Sequence, residues 1–440
     1  MTLLVISPDY ASHLLPLAAL GAAWRDAGER VVVASGPATA RIVEEFGYER
    51  ADLQLGRGSN PGVIRAERQP RDEADSLRGF FDATRRGMVA TLRYQARERL
   101  VDLMWQPVEK GRATLDVVDT VRPDAILVDH LAYSARLALG AAGVPHADVV
   151  LGHPTALPVG SEVYGHPPAW PRAFTPRADE LAELEALCHR VAAGFTAEWN
   201  SAAEQLDPGV VPVADAFAQH GPLVLYHYPE ELADPDRADL LPAHRYLGGS
   251  LRAEPDDPEV DAWLRSDEPF VYVSFGSFLS VRGDVLHRVV AALRGAGVRA
   301  SIASGSTPAA QLGELPARWL VREHLPQVRL LRAAAVAVTH GGNNSVTEAV
   351  GTGTPMLVLP FSTDQFAGAA AVDRTGVGEV LDPNAASVAE LRAAVERLLD
   401  LSGPGARTLR RAALALDAEP GPTRALRAVA PRGAGVIPPW

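Results

Sequence analysis

Between Glu323 and Gln365 the chain collects residue types that could grip a phosphate-linked sugar. His324-Leu325-Pro326-Gln327 is followed by Thr339-His340-Gly341-Gly342-Asn343-Asn344-Ser345, then Glu348, Gly353-Thr354-Pro355 and Asp364-Gln365. His340 stands where an apolar run ends. Two glycines allow a close backbone turn, and the helix that follows offers free amides and a positive dipole end. That is a site for a diphosphate. Asn344 and Ser345 add side-chain donors. Glu348, one turn in, can accept hydrogen bonds from two ribose hydroxyls. Asp364 and Gln365 open the next helix, and an acid beside an amide suits sugar hydroxyls. Each piece has a plainer reading: Ser345 and Glu348 also spell a capping box, S-x-x-E, which needs no ligand. The ordered set is harder to explain that way.

The set resembles the signature of family 1 glycosyltransferases, the nucleotide-sugar-dependent enzymes of plant secondary metabolism and bacterial antibiotic pathways. Their box runs aromatic-x-P-Q, T/S-H-x-G-x-N-S, E, G-V-P, D-Q. Here His324, Pro326, Gln327, His340, Gly342, Asn344, Ser345, Glu348, Gly353, Pro355, Asp364 and Gln365 occupy those places. The resemblance implies a two-domain GT-B fold reaching to about Ala430. It implies that His340, Gly342, Asn344 and Ser345 hold the diphosphate, Glu348 the ribose, and Asp364 and Gln365 the sugar. Ser277, in the turn Ser274-Phe275-Gly276-Ser277, should approach the phosphates, and Gln327 and His324 should border the nucleoside. The family often has Trp where His324 stands. An imidazole stacks with less area, so base choice could differ, or Arg322 could supply the platform.

His13, after the first apolar run, would on its own be read as a helix cap or a surface residue. It matches the family's catalytic histidine, normally in G-H-x-x-P; this chain has Ser12 for the glycine and keeps His13 and Pro16. Its partner should be Asp129, at the end of Pro123-Asp124-Ala125-Ile126-Leu127-Val128-Asp129. The chemistry is coherent: an alcohol is a poor nucleophile until a base takes its proton, and a carboxylate orients the imidazole and stabilises its charged form. Asp9 is a weaker candidate for that partner. His130 should point away and be structural.

Positioning these residues requires α/β alternation, and the chain has it twice. Leu3–Ile6, Val31–Ala34, Pro123–Asp129, Ala147–Leu151 and Pro222–Tyr228 read as strands, with helices at His13–Ala27, Arg41–Phe46, Ser134–Ala142 and residues 179–205. A helical stretch covers residues 77–120, after an Arg- and Gly-rich loop at 56–76. Residues 153–176 read as an irregular wall. The series restarts at Phe270–Phe275 and runs through Arg299–Ile302, Trp319–Arg322, Val336–Thr339 and Met356–Leu359, with helices at 285–295, 328–333, 346–351, 364–375 and 388–399. Parallel sheets follow, and two Rossmann-like domains facing a cleft are the simplest architecture. The expected boundaries are 1–235 for an acceptor-binding domain, 236–255 for a linker, 256–415 for a nucleotide-sugar-binding domain, and 416–440 for a segment that could pack back on the first domain.

The acceptor should lie in the N-terminal half, by analogy with the family. Phe80, Phe81, Met88 and Trp105 from the helical stretch and His153, Tyr164 and Trp170 from the irregular wall could line an apolar pocket. A bulky, greasy acceptor would suit it. The overall reading is an inverting, metal-independent glycosyltransferase that takes a dTDP- or UDP-linked sugar, with no cofactor. Alternatives are a nucleotide-sugar epimerase of the same fold, or a non-catalytic auxiliary protein of a glycosyltransferase. A nicotinamide dehydrogenase lacks support, since no G-x-G-x-x-G follows the first strand.

The composition agrees. A net charge of −12 offers no basic stripe for nucleic acid. One cysteine, Cys188, excludes an internal disulfide and a Cys-rich zinc site. Met1–Pro8 lacks the basic start and the apolar length of a signal peptide, and no apolar run spans a membrane, so a cytoplasmic monomer or homodimer is the expectation.

Overall fold

A computed structural model describes residues 1–60, 71–102, 104–252 and 254–429, without the side chains of residues 71–74, 99–102, 277 and 278. Two parallel sheets organise it. The first contains β1 (Thr2–Ile6), β2 (Arg30–Ser35), β3 (Glu49–Asp52), β4 (Ala125–Asp129), β5 (Ala147–Val150), β6 (Leu223–Tyr226) and β7 (His244–Tyr246), in the order β3-β2-β1-β4-β5-β6-β7. The second contains β8 (Phe270–Ser274), β9 (Arg299–Ala303), β10 (Leu320–Arg322), β11 (Val336–Thr339), β12 (Met356–Val358) and β13 (Gly378–Val380), in the order β10-β9-β8-β11-β12-β13.

Helices cover both faces, which is why the central strands are apolar throughout rather than alternating. Leu3 to Ile6 and Leu127 and Val128 are buried, and β1 and β4 pair in register Leu3↔Ala125 to Ile6↔Val128. The helix Ala11–Asp26 lays Leu14, Leu17, Leu20 and Trp24, all fully buried, against Leu3, Val5 and Val33. In the second sheet, Val271, Val273, Val336 and Val338 pack with Val289, Leu293 and Leu398 from the covering helices.

The order of each sheet reverses at one place, between β1 and β4 and between β8 and β11. Connections leave on opposite faces there, and the strand ends open a crevice. His13 lies after β1 and Asp129 closes β4; Ser274 closes β8 and His340 follows β11. The chemistry-bearing residues therefore sit at the two switch points.

Several elements differ from expectation. The helical stretch 77–120 is three helices, Arg71–Arg86, Met88–Asp102 and Pro107–Val121, interrupted at Gly87 (φ 107°) and Gln106 (φ 47°). The loop expected over 56–76 has its residues 61–70 outside the described set, and helix has begun by Arg71. Pro222–Tyr228 is not the last strand of its half, because β7 forms within the segment read as a connection. The S-x-x-E capping box is absent: the helix Asn343–Gly351 has Gly342 as its N-cap, with no side-chain cap. A capping box does form elsewhere, between Ser387 and Glu390. After the helix Gly403–Ala418, the helix Gly421–Val429 crosses back, and Ala425, Leu426 and Val429 join the core around β1 and the helix Ala11–Asp26. Among the described residues, no helix is long and apolar enough to cross a membrane.

Candidate functional site

The two switch points face each other across a cleft of about 1210 Å³. On the N-terminal side, His13 Nδ1 meets Asp129 Oδ2 at 2.8 Å. Asp129 is buried and its other oxygen accepts the Leu131 amide, while the His13 side chain is 26% exposed in the cleft. With the Nδ1 proton directed at Asp129, Nε2 carries the lone pair. Burial works against charge on His13, but the Asp129 carboxylate, followed by that of Asp364, outweighs it and holds the pKa above the ordinary histidine value. Asp9 is not a partner: it accepts hydrogen bonds from the Ala38 and Thr39 amides and the Thr39 hydroxyl. His130 lines the cleft, yet its Nε2 is bound to the Ala156 carbonyl, and burial holds its pKa down at about 3.

Opposite lies the start of the helix Asn343–Gly351. Its first intrahelical bond is Val346 N to Gly342 O, so the amides of Asn343, Asn344 and Ser345 precede the ladder. Gly341 has φ 79°, and a Cβ there would stand 2.6 Å from Val358 Cγ1. The His340 ring is wedged between two glycines: a Cβ on Gly342 would meet Nε2 at 2.4 Å and one on Gly276 would meet Cε1 at 3.0 Å. Burial holds the His340 pKa down at about 4. A neutral imidazole there can donate or accept a hydrogen bond.

Glu348 is buried one turn in. Gln327 Nε2 donates to its Oε2 at 2.6 Å, and Gln327 Oε1 in turn accepts from the Tyr272 hydroxyl at 3.2 Å. Burial raises the Glu348 pKa, opposed by Arg252 and by the Gln327 hydrogen bond. His324 is largely exposed at the cleft rim. Arg322 is committed to Asp257 and Glu259, with Nε on the His324 carbonyl, so it is a support rather than a stacking platform. Ser277 lies in a short helix, Gly276–Leu279, but its side chain is outside the described residues.

Asp364 spans the cleft: its Oδ2 accepts the His153 amide at 2.8 Å and its Oδ1 the Thr363 hydroxyl. Gln365 is buried, its amide oxygen bound to the Phe361 and Ser362 amides and its nitrogen to Ser362 Oγ. One N–H of that amide is left for a ligand. Asn344 Nδ2 donates to the Ser12 carbonyl at 3.2 Å. Asn343, which the sequence reading passed over, donates to the carbonyls of Leu151 and His227.

Of the seven apolar candidates, Phe80 and Tyr164 line the cleft. Met88 packs with Leu92, Leu184 and Phe366, and Trp170 lies against the same cluster. Trp105 carries Lys110 over its ring at 4.4 Å, away from the cleft. Phe81 packs against the second domain's core. His153 turns its ring edge to Tyr228 and contributes its backbone amide instead. Lining residues that the sequence reading missed include Tyr10, Leu15, Leu77, Tyr94, His166 and Arg252. Among the described residues no cluster of His, Cys, Asp or Glu could hold a metal ion.

Residues 194–403 match the family model described as UDP-glucoronosyl and UDP-glucosyl transferase. Over those residues the chain is similar to that glycosyltransferase family. The chain is 33% identical to the oleandomycin glycosyltransferase of Streptomyces antibioticus over 223 residues, 49% of this chain and 50% of that protein. It is 29% identical to the NDP-glycosyltransferase YjiC of Bacillus subtilis (strain 168) over 154 residues, 34% of this chain and 38% of that protein. The alignments thus span half or less of the curated relatives' length. Solved structures match over nearly the whole chain. The glycotransferase of kitacinnamycin covers 97% of both chains at 25% identity with a TM-score of 0.66. The spinosyn forosaminyltransferase SpnP, at 20% identity, covers 98% of this chain and 100% of its own with a TM-score of 0.66, which speaks to fold alone. The architecture is GT-B: two Rossmann-like α/β domains facing a cleft.

Proposed function

We propose that this chain transfers a sugar from a nucleoside diphosphate sugar to a hydroxyl of a bulky apolar acceptor, with inversion at the anomeric carbon. The observation that carries the reading is the opposition of the His13–Asp129 pair to the helix start at Asn343 across one cleft. The family match over residues 194–403 and the resemblance to the oleandomycin enzyme support it.

In this reading His13 Nε2 takes the acceptor's hydroxyl proton as the oxygen bonds to the anomeric carbon. The bond from that carbon to the phosphate oxygen breaks, and its electron pair leaves with the nucleoside diphosphate. Asp129 holds the imidazole and stabilises its charged form. The amides of residues 343–345, with Asn344, Ser345, His340 and the close turn at Gly342, receive the diphosphate. Glu348 takes the ribose, His324 and Gln327 border the base, and Asp364 and Gln365 meet the sugar. Phe80 and Tyr164 contribute to the acceptor wall. No metal is needed.

Incubation with dTDP- and UDP-glucose and a panel of hydroxylated polyketide and phenolic acceptors, read by mass spectrometry, should show a mass gain of one hexosyl unit. The anomeric proton coupling of the product should report the configuration opposite to the donor's. A product of retained configuration would refute the single displacement.

A further inference from the structure

Among the described residues lining the cleft, Arg252 carries the only guanidinium or ammonium group. The donor places a multiply charged diphosphate there, and burial works against a charge on the His340 ring. Arg252 is about 29% exposed. Its nearest carboxylates are Glu348, at 3.9 Å from the guanidinium, and Glu254, at 3.7 Å. Both distances are beyond hydrogen-bond reach. Glu254 is itself occupied, capping the helix Gln327–Leu331 through the amides of Val328 and Arg329. Five guanidinium donors in a fixed fork are thus held at the cleft, ion-paired at long range with two carboxylates and hydrogen-bonded to neither.

The chain fixes this position. Residues 247–252 follow β7 and lie along the helix Asn343–Gly351. Gly249 has φ 106°, and a Cβ there would stand 3.0 Å from Thr347 Cβ. A Cβ on Gly351 would stand 3.3 Å from Leu251 Cδ2. Two glycines therefore seat the segment on the helix whose first turn faces the phosphates, and Arg252 comes to rest beside Glu348.

We propose that Arg252 binds the diphosphate of the nucleotide donor, on the phosphate adjoining the ribose, and neutralises charge as the leaving group departs. This rests on the glycosyltransferase reading above and adds a cationic ligand drawn from the segment between the two sheets. Guanidinium and phosphate match geometrically in a two-point contact, which an ammonium group cannot reproduce.

The test is calorimetric titration of the full chain and of Arg252→Gln and Arg252→Lys with TDP, UDP and the parent nucleosides. The wild type should bind at least one diphosphate. Arg252→Gln should lose at least tenfold in affinity for that diphosphate, with a shallower dependence on salt, and keep its affinity for the nucleoside. Arg252→Lys should recover only part of the loss. Equal diphosphate affinity in wild type and Arg252→Gln overturns the proposal, as does an equal loss for nucleoside and diphosphate, which would mean that Arg252 only steadies Glu348. If the wild type binds neither diphosphate, the donor reading itself fails, a result distinct from either.

Discussion

Asn344 supplies to the carbonyl of Ser12 the hydrogen bond that Pro16 withholds. Pro16 lies inside the helix Ala11–Asp26 and has no N–H, so the carbonyl four residues back lacks its usual i+4 donor. The Asn344 amide, from the other domain, reaches it at 3.2 Å. The proline next to the proposed base thus makes a docking point for the residue proposed to hold the diphosphate. Pro16→Ala restores the missing donor. It should raise the thermal midpoint, since an interior proline costs a helix about 3 kcal/mol against alanine. It should also raise KM for the donor by freeing Asn344 from its cross-domain tie. Calorimetric melting and donor saturation curves on the same preparation check both.

His13→Ala should lower turnover by about 10²–10⁴ and leave nucleoside diphosphate affinity nearly unchanged. The base works when neutral and its pKa is raised, so the rate should climb with pH through an apparent pKa above 6.5. Asp129→Asn removes the principal charge holding that pKa up, and the limb should move to lower pH. Stability runs the other way: the charged pair contributes fully below the unfolded value of 6.5 and is lost as pH rises through the folded pKa. A wild-type rate in both His13→Ala and His13→Asn on an alcohol acceptor would end the assignment.

Glu348→Ala should weaken nucleoside diphosphate binding by roughly 1–3 kcal/mol, because the ribose hydroxyls and Gln327 lose a shared charged acceptor. Isothermal titration measures this directly, and unchanged affinity would remove Glu348 from the ribose.

Gly152 tests the sugar subsite from the opposite wall. A Cβ there would stand 2.7 Å from Asp364 Oδ2. Gly152→Ala should displace that carboxylate and weaken binding of the intact sugar donor about tenfold, equivalent to about 1.4 kcal/mol. The bare diphosphate, which lacks the sugar, should bind as before. Parallel titrations with the two ligands separate these outcomes.

Turnover should survive EDTA and gain nothing from Mg²⁺ or Mn²⁺. In the proposed reading the free amides at the start of the helix Asn343–Gly351 would take the place a divalent cation has in other transferases. Activity lost to EDTA and restored by either ion would refute this.

The alternating sheets were legible because buried parallel strands such as Leu3–Ile6 and Val336–Thr339 are continuous apolar runs. β3 and β13 were not, because Glu49-Arg50 and Gly378-Glu379 lie on short edge strands whose polar side chains meet water. The candidate donor residues follow three successive strand ends, with His324 after β10, His340 after β11 and Asp364 after β12, and their order along the chain carried the family resemblance. The His13–Asp129 contact could not: its members are 116 residues apart, and only the family resemblance paired them. Apolar wall residues were the least readable. Met88 and Phe80 have the same character and both are buried in cores, yet only Phe80 also borders the cleft. Arg252 escaped notice because the Asp- and Pro-rich sequence around it reads as a connection.

The return of the helix Gly421–Val429 to the core around β1 bears on engineering. A hybrid enzyme made by one crossover between β7 and β8 would join an acceptor half to a donor half with another protein's final helix. That helix would have to fit against the helix carrying His13, whose Leu14, Leu17 and Trp24 share a core with Ala425. Exchanging donor specificity while keeping the acceptor therefore calls for two junctions, the second near Glu419, so that the last helix travels with the half it covers.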